Sequence, residues 1–147
     1  MNKVIIFTIG FTKKKAEIFF GKLAKAGVEK LIDIRLNNVS QLAGFAKKDD
    51  LIYFLKTICD CGYKHEPLLA PTKEILDGYK KKEIGWPEYE KRFNDLLNAR
   101  KAHTLVSLSE LHMVCLLCSE PTPEKCHRRL VAEYLKSHFD NIEIQHL

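Results

Sequence analysis

No apolar run in this 147-residue chain approaches the roughly 20 residues that a membrane-crossing helix requires. The clearest runs, VIIFTI at 4–9 and MVCLLC at 113–118, are strand-sized, so the expectation is a soluble protein with no membrane partner. The 5 prolines and 7 glycines leave no linker and no low-complexity segment, and there is no internal repeat. The glycine-rich fingerprints of dinucleotide and phosphate binding, G-x-G-x-x-G and the P-loop, are missing, since Gly10 stands alone after the first apolar run. The opening MNKVIIFTIGF has the lysine and apolar stretch of a secretory signal. Lys13-Lys14-Lys15 follow where a small-residue cleavage site would stand, and an opening strand is the better reading.

What is present is an ordinary globular composition, 46% hydrophobic and 29% charged, in a chain long enough to bury a core without disulfides or a structural metal. One domain over 1–147 is expected. The formal charge is +5, and the basic residues form short runs: Lys13 to Lys15, Lys47-Lys48, Lys80 to Lys82 and Arg128-Arg129. That balance permits an anionic partner without requiring one. The lysine runs read first as solvated helix faces. Five cysteines, an odd number with no secretory signal, point to reduced thiols and a cytoplasmic location rather than a disulfide framework.

The apolar pattern alternates strand and helix. Strands are predicted at 4–9, 31–35, 63–65, 113–118 and 142–145; helices at 13–26, 49–61, 72–82, 86–100 and 123–138. Thr12 is placed as the cap of the first helix and Gly27 as its stop. The segment 101–111 has no clear assignment. MVCLLC shows no polar alternation, as expected of a strand covered on both faces by helices. The fold class is therefore α/β: a single three-layer α/β/α domain with a mainly parallel sheet of about five strands.

In such sheets, ligands bind beyond the carboxyl ends of the strands. The chemically distinctive residues fall there: Gly10 and Thr12 after the first strand, Asp33 and Arg35 at the end of the second, Cys118 and Glu120 at the end of the fourth. A bland alternative makes Asp33 and Arg35 a structural ion pair. The segment CSEPTPEKCHRRL (118–130) then gathers two thiols, an imidazole and two guanidinium groups. A helix starting near 123 puts Cys126, His127 and Arg128 in its first turn, where unpaired N–H groups and the helix dipole favour negative charge. Adjacent cations also favour a thiolate.

Four readings of this segment stay open. Arg128, Arg129 and Arg35 can hold a phosphate or carboxylate through forked donors. Cys118 or Cys126 can act as a nucleophile or redox thiol, with His127 or Glu120 moving protons. The thiols and a histidine can hold a metal, although the gap between Cys118 and Cys126 exceeds the two to four residues usual in structural zinc sites. Or the cysteines are small buried hydrophobes. Cys59, Cys61 and Cys115 read as packing residues.

TIGFTKK (8–14), LIDIR (31–35) and LLCSEPTPEKCHRRLVAEYL (116–135) together resemble the domain-of-unknown-function family 488. Its members pair an opening T-I-G-[FHY] with a D-[IV]-R strand and a late L-L-C-x-E-x-x-x-x-x-C-H-R. The resemblance spans essentially the whole chain. By position, the family's motif residues map onto Gly10, Asp33, Arg35, Cys118, Glu120, Cys126, His127 and Arg128, and the resemblance implies no reaction. Leu36-Asn37-Asn38 departs from the Ser-x-Pro that follows D-V-R in many members, while Ser40, Phe45 and Lys47 resemble the later part of that loop.

The functional expectation is a pocket for a small phosphate- or nucleotide-like anion at the carboxyl edge of the sheet. Gly10, Thr12, Arg35, Ser40, Arg128 and Arg129 would bind the ligand. Asp33, Glu120, Cys118, Cys126 and His127 are the catalytic candidates. No metal and no cofactor are called for. The alternatives are a nucleic-acid-binding or nucleic-acid-processing module, using Lys13, Arg35, Lys47, Arg128 and Phe11 or Phe45 on one face, and a thiol-based redox protein.

Overall fold

Five apolar segments form the strands of one sheet: β1 (Val4–Gly10), β2 (Lys30–Asp33), β3 (Gly62–His65), β4 (Val114–Cys118) and β5 (Ile142–His146). The computed structural model describes residues 3–39, 44–120 and 123–147. All strand pairs are parallel, in the order β3-β2-β4-β1-β5. Parallel neighbours require crossovers, and these supply the helices: α1 (Ala16–Ala26), α2 (Lys48–Phe54), α3 (Lys73–Lys80), α4 (Trp86–Arg100), α5 (Leu108–Leu111) and α6 (His127–His138).

Strand alternation sorts the core into two layers. Ile6, Ile32, Leu116 and Cys118 face Phe93, Leu97, Leu130 and Leu135 of α4 and α6. Phe7, Ile9, Leu31, Cys115 and Leu117 face Phe19, Phe20, Leu23 and Leu51 of α1 and α2. With both faces covered, every residue of β4 is buried. The expected three-layer α/β architecture is therefore present. Among the described residues, no helix is long and apolar enough to cross a membrane.

Three local expectations change. The first helix begins at Ala16, capped by Lys15 rather than Thr12. Lys13 takes a left-handed turn at φ 63°, and the Thr12 N–H is engaged with the Ser119 carbonyl, which holds residues 11–15 out of the helix. The last helix begins at His127, four residues later than the predicted 123, with Cys126 as its N-cap. The predicted helix 49–61 is α-helical only to Phe54 and continues as a wider π-turn over Leu55–Cys59. The unassigned 101–111 holds a 3-10 turn (Ala102–Leu105) and the one-turn α5, opened by a capping box between Ser107 and Glu110.

Connections after β1 and β4 leave on opposite faces of the sheet, through α1 and α6. These two strands are neighbours, with Gly10 in register with Cys118. The crevice between their carboxyl ends is the topological switch point at which open parallel sheets bind ligands. The chain passes closely there. A Cβ built on Gly10 would overlap the carbonyl oxygen of Glu120 and approach Arg128 Nη1 to 2.5 Å.

Gly10→Ala should therefore lower stability by about 1–3 kcal/mol, the usual cost of forcing atoms into a packed site. Gly21, inside α1, meets nothing within 4 Å, so Gly21→Ala should raise stability by about 0.5–1 kcal/mol through helix propensity. Urea unfolding of the two variants should show these opposite signs.

Candidate functional site

A cavity of about 1020 Å³ lies over the carboxyl ends of β1, β2 and β4. Its floor includes Thr12, Arg35, Cys118, Ser119, Cys126 and His127, and its far wall is α3 with the turn leading to α4. Phe11, Leu76, Tyr79, Ile84 and Tyr89 give apolar and aromatic surface, while Lys73, Lys80, Lys82 and Lys125 stand exposed around the rim with Asp77 and Glu120. Burial pushes the Tyr89 hydroxyl well above its ordinary pKa, with the nearby Glu120 charge adding to the effect, so Tyr89 is neutral.

Asp33 and Arg35 form a forked ion pair. Arg35 Nε donates to Oδ1 and Nη2 to Oδ2, each at 2.8 Å, and the Arg35 backbone N–H also donates to Oδ1. The Tyr63 hydroxyl donates to Asp33 Oδ2 at 2.7 Å, and Arg35 Nη2 donates to the Ala46 carbonyl. Burial and the Asp33 carboxylate push the Tyr63 hydroxyl upward, so it keeps the proton it donates. Asp33 is fully buried and outside the cavity lining; Arg35 is 4% exposed, reaches the lining, and lies over the Phe11 ring. The pair ties β2 to β3 and to the segment before α2.

Arg128 is placed differently from what its neighbours in the sequence indicated. It is fully buried and does not line the cavity. Nε donates to Thr8 Oγ1 at 3.2 Å and Nη1 to the Glu120 carbonyl at 2.5 Å, with Cys118 Sγ 3.7 Å from Nη1. Thr8 Oγ1 is in turn hydrogen-bonded with His146 Nδ1, joining β5 to the network. Among the described residues Arg128 Nη2 has no hydrogen-bond partner, and no salt bridge reaches this guanidinium. Burial pushes its pKa down.

Cys118, at the end of β4, and Cys126, the cap of α6, are joined as a disulfide with their Cα atoms 7.5 Å apart. The expectation of reduced thiols holds only for Cys59, Cys61 and Cys115. An odd count leaves open that the loop after β4 returns one thiol to another. Cys115 and Cys118 have C-x-x-C spacing, but strand alternation turns Cys115 to the α1 side, where burial raises its pKa. Burial likewise raises Cys61, to about 12.

His127 Nε2 lies 2.7 Å from the Ile34 carbonyl. A carbonyl only accepts, so Nε2 carries the proton and Nδ1 keeps a lone pair. Burial lowers the imidazole pKa to about 4, which the Ile34 hydrogen bond opposes and Arg128 reinforces. The ring packs edge-on against Phe93.

The fold thus brings Thr12, Arg35, Cys118, Glu120, Cys126 and His127 to one cavity and leaves Gly10, Asp33 and Arg128 as the packed layer beneath it. Arg129 points away, paired with Glu90 and Glu133 beside Trp86. Ser40 lies outside the described residues. Of the face considered for nucleic acid, Phe11, Arg35 and Arg128 are buried. Sequence reasoning missed Tyr63, Tyr79, Tyr89, Lys73 and Lys125. Of these, Lys73 and Lys125 carry a readable signal, since they lie at or just before the N-terminal ends of helices that follow strands.

The family profile described as Domain of unknown function DUF488 matches residues 15–135, most of the chain. The protein belongs to the DUF488 family. The matched stretch takes in Asp33, Arg35 and the complete C-x-E…C-H-R segment, and begins after Thr8-Ile9-Gly10. No curated protein and no solved structure matches the chain significantly.

The Asp33–Arg35 pair yields a stability test. Asp33→Asn leaves the Arg35 guanidinium buried without its counter-charge, and should cost about 3–5 kcal/mol. Tyr63→Phe removes one hydrogen bond to the carboxylate, and should cost about 1.5–3 kcal/mol. Denaturant unfolding should rank them in that order.

Proposed function

We propose that the cavity binds a small anion of the phosphate or nucleotide class and presents it to the Cys118, Cys126 and His127 floor. The observation that carries this reading is the charge of the rim: four exposed lysines, Lys73, Lys80, Lys82 and Lys125, against Asp77 and Glu120. Arg35 adds little net charge, because Asp33 neutralises it at 2.8 Å. The aromatic wall of Tyr79 and Tyr89, backed by Trp86 stacked 5.0 Å from Tyr89, is suited to an apolar or planar portion of the same ligand. Arg128 supports the floor rather than gripping the anion.

Thermal unfolding in the presence of inorganic phosphate, nucleotides and phosphosugars tests the reading at low salt. Ligand at a hundredfold excess over its dissociation constant adds about 2.7 kcal/mol to stability, a rise of roughly 5–10 °C for a chain of this size. The rise should shrink with added salt and vanish in a Lys73→Gln, Lys125→Gln double variant, whose exposed side chains do not support the fold. No rise with any of the three classes, or one that survives the double variant, overturns the proposal.

A second reading, a thiol-based redox protein, is favoured by the disulfide on the cavity floor. Two thiols of a small reductant would pass two electrons and two protons to the Cys118–Cys126 bond, leaving as their own disulfide and opening the protein pair to two thiols. Equilibration with glutathione buffers, followed by alkylation and mass measurement, should then show the pair interconverting within the buffer's range. A pair that stays in one state across that range removes this reading.

A further inference from the structure

We propose that the reduced forms of Cys118 and Cys126, together with His127, bind one thiophilic divalent cation of the zinc type, with the fourth coordination position open to the cavity. One ligand atom from each of these three residues falls within a 4.8 Å cluster. The sequence spacing argued against a metal, because the two cysteines do not form the short pair of a zinc loop. The fold supplies the proximity instead: one thiol ends β4, the other caps α6, and the imidazole follows in the first turn.

Three features favour an ion. First, His127 is held as metal-binding histidines are, with one ring N–H donated to a backbone carbonyl, here Ile34, which fixes the ring and leaves the other nitrogen as a donor. Second, the 7.5 Å Cα separation is wider than the 4.4–6.8 Å at which disulfides are usually met, and it leaves room for two thiolates to share an ion. Third, two thiolates and a neutral imidazole balance the charge of a divalent cation. The buried Arg128 guanidinium, 3.7 Å from Cys118 Sγ and in no salt bridge among the described residues, is a cation beside the sulfur and favours its thiolate form.

All three residues line the cavity, which is the arrangement of open zinc sites: three protein ligands and one position for water or another small ligand. This proposal stands whether or not the cavity also takes a phosphate-like anion, since the three side chains alone carry it.

Metal and disulfide exclude one another. Reducing the bond with a phosphine oxidises phosphorus to the phosphine oxide, using the oxygen of one water molecule and delivering that water's two protons to the sulfurs. Binding the cation then releases both thiol protons to solvent.

The test is to reduce the full chain with a phosphine under anaerobic conditions, remove the reductant, and titrate with cobalt(II) and zinc(II). One cobalt per chain should bind, with sulfur-to-metal charge-transfer absorption and intense tetrahedral visible bands, and one zinc should displace it. The oxidised protein should show neither band. Cys118→Ser, Cys126→Ser and His127→Gln should each weaken binding by more than about 100-fold, beyond what loss of a supporting residue usually costs. Cys59→Ser should leave it unchanged. Far-UV circular dichroism verifies that each variant is folded, and the comparison of reduced with oxidised wild-type protein needs no variant at all. Absence of the sulfur bands in the reduced wild type, or their persistence in a Cys118→Ser, Cys126→Ser double variant, overturns the proposal.

Discussion

The buried guanidinium of Arg128, which no salt bridge reaches among the described residues, is the constraint around which this protein is arranged. Arg128 spends its donors on Thr8 in β1 and on the carbonyl of Glu120, while Cys118 in β4 lies beside it. Burying a cation is costly unless dipoles or an anion compensate it. The oxygens and sulfur around Arg128 have to be held in place for it to be tolerated. That requirement bears on where α6 begins and on why residue 10 has no side chain. It also gives one sulfur of the cavity floor a cationic neighbour on its buried side.

The contrast with Arg35 is instructive. Two buried arginines lie within the same sheet edge, yet one is neutralised in forked geometry by a residue two positions earlier and the other leans on neutral groups. The first behaves as a local staple, and its electrostatic influence on a ligand is small. The second sets a cation 3.7 Å from Cys118 Sγ, with the charges of Glu120 and Glu124 acting on it. A shared residue type therefore conceals two different roles, which the packing separates.

Most of the sheet was legible in the sequence. β-Branched and apolar runs bounded by Gly10, Gly27 and Gly62 are local signals, and a strand buried on both faces has to look as continuous as β4 does. Helix α4 was legible because Gly85 and Pro87 mark its start. Ser107 and Glu110 offered a capping-box signal for α5 that went unused. What could not be read was long-range: the Ser119 carbonyl that holds Thr12 out of helix α1, the Tyr63 hydroxyl that reaches Asp33, and the direction of the Arg128 side chain. The motif was found, but not which of its members face solvent. Reading Lys80 to Lys82 as a solvated face caught their exposure and missed that Lys80 and Lys82 overlook a cavity.

The two sides of that cavity are built from different kinds of structure. Its floor is set by the central strands and the cap of α6, where a single added methyl group at Gly10 meets backbone. Its far wall is a two-turn helix and the exposed turn after it, with Lys82 at φ 60°. Segments of the second kind accept substitution and changes of length far more readily than packed strands do. Substitutions within residues 73–85 would therefore reshape the far wall of the cavity while leaving Cys118, Cys126 and His127 on its floor in place.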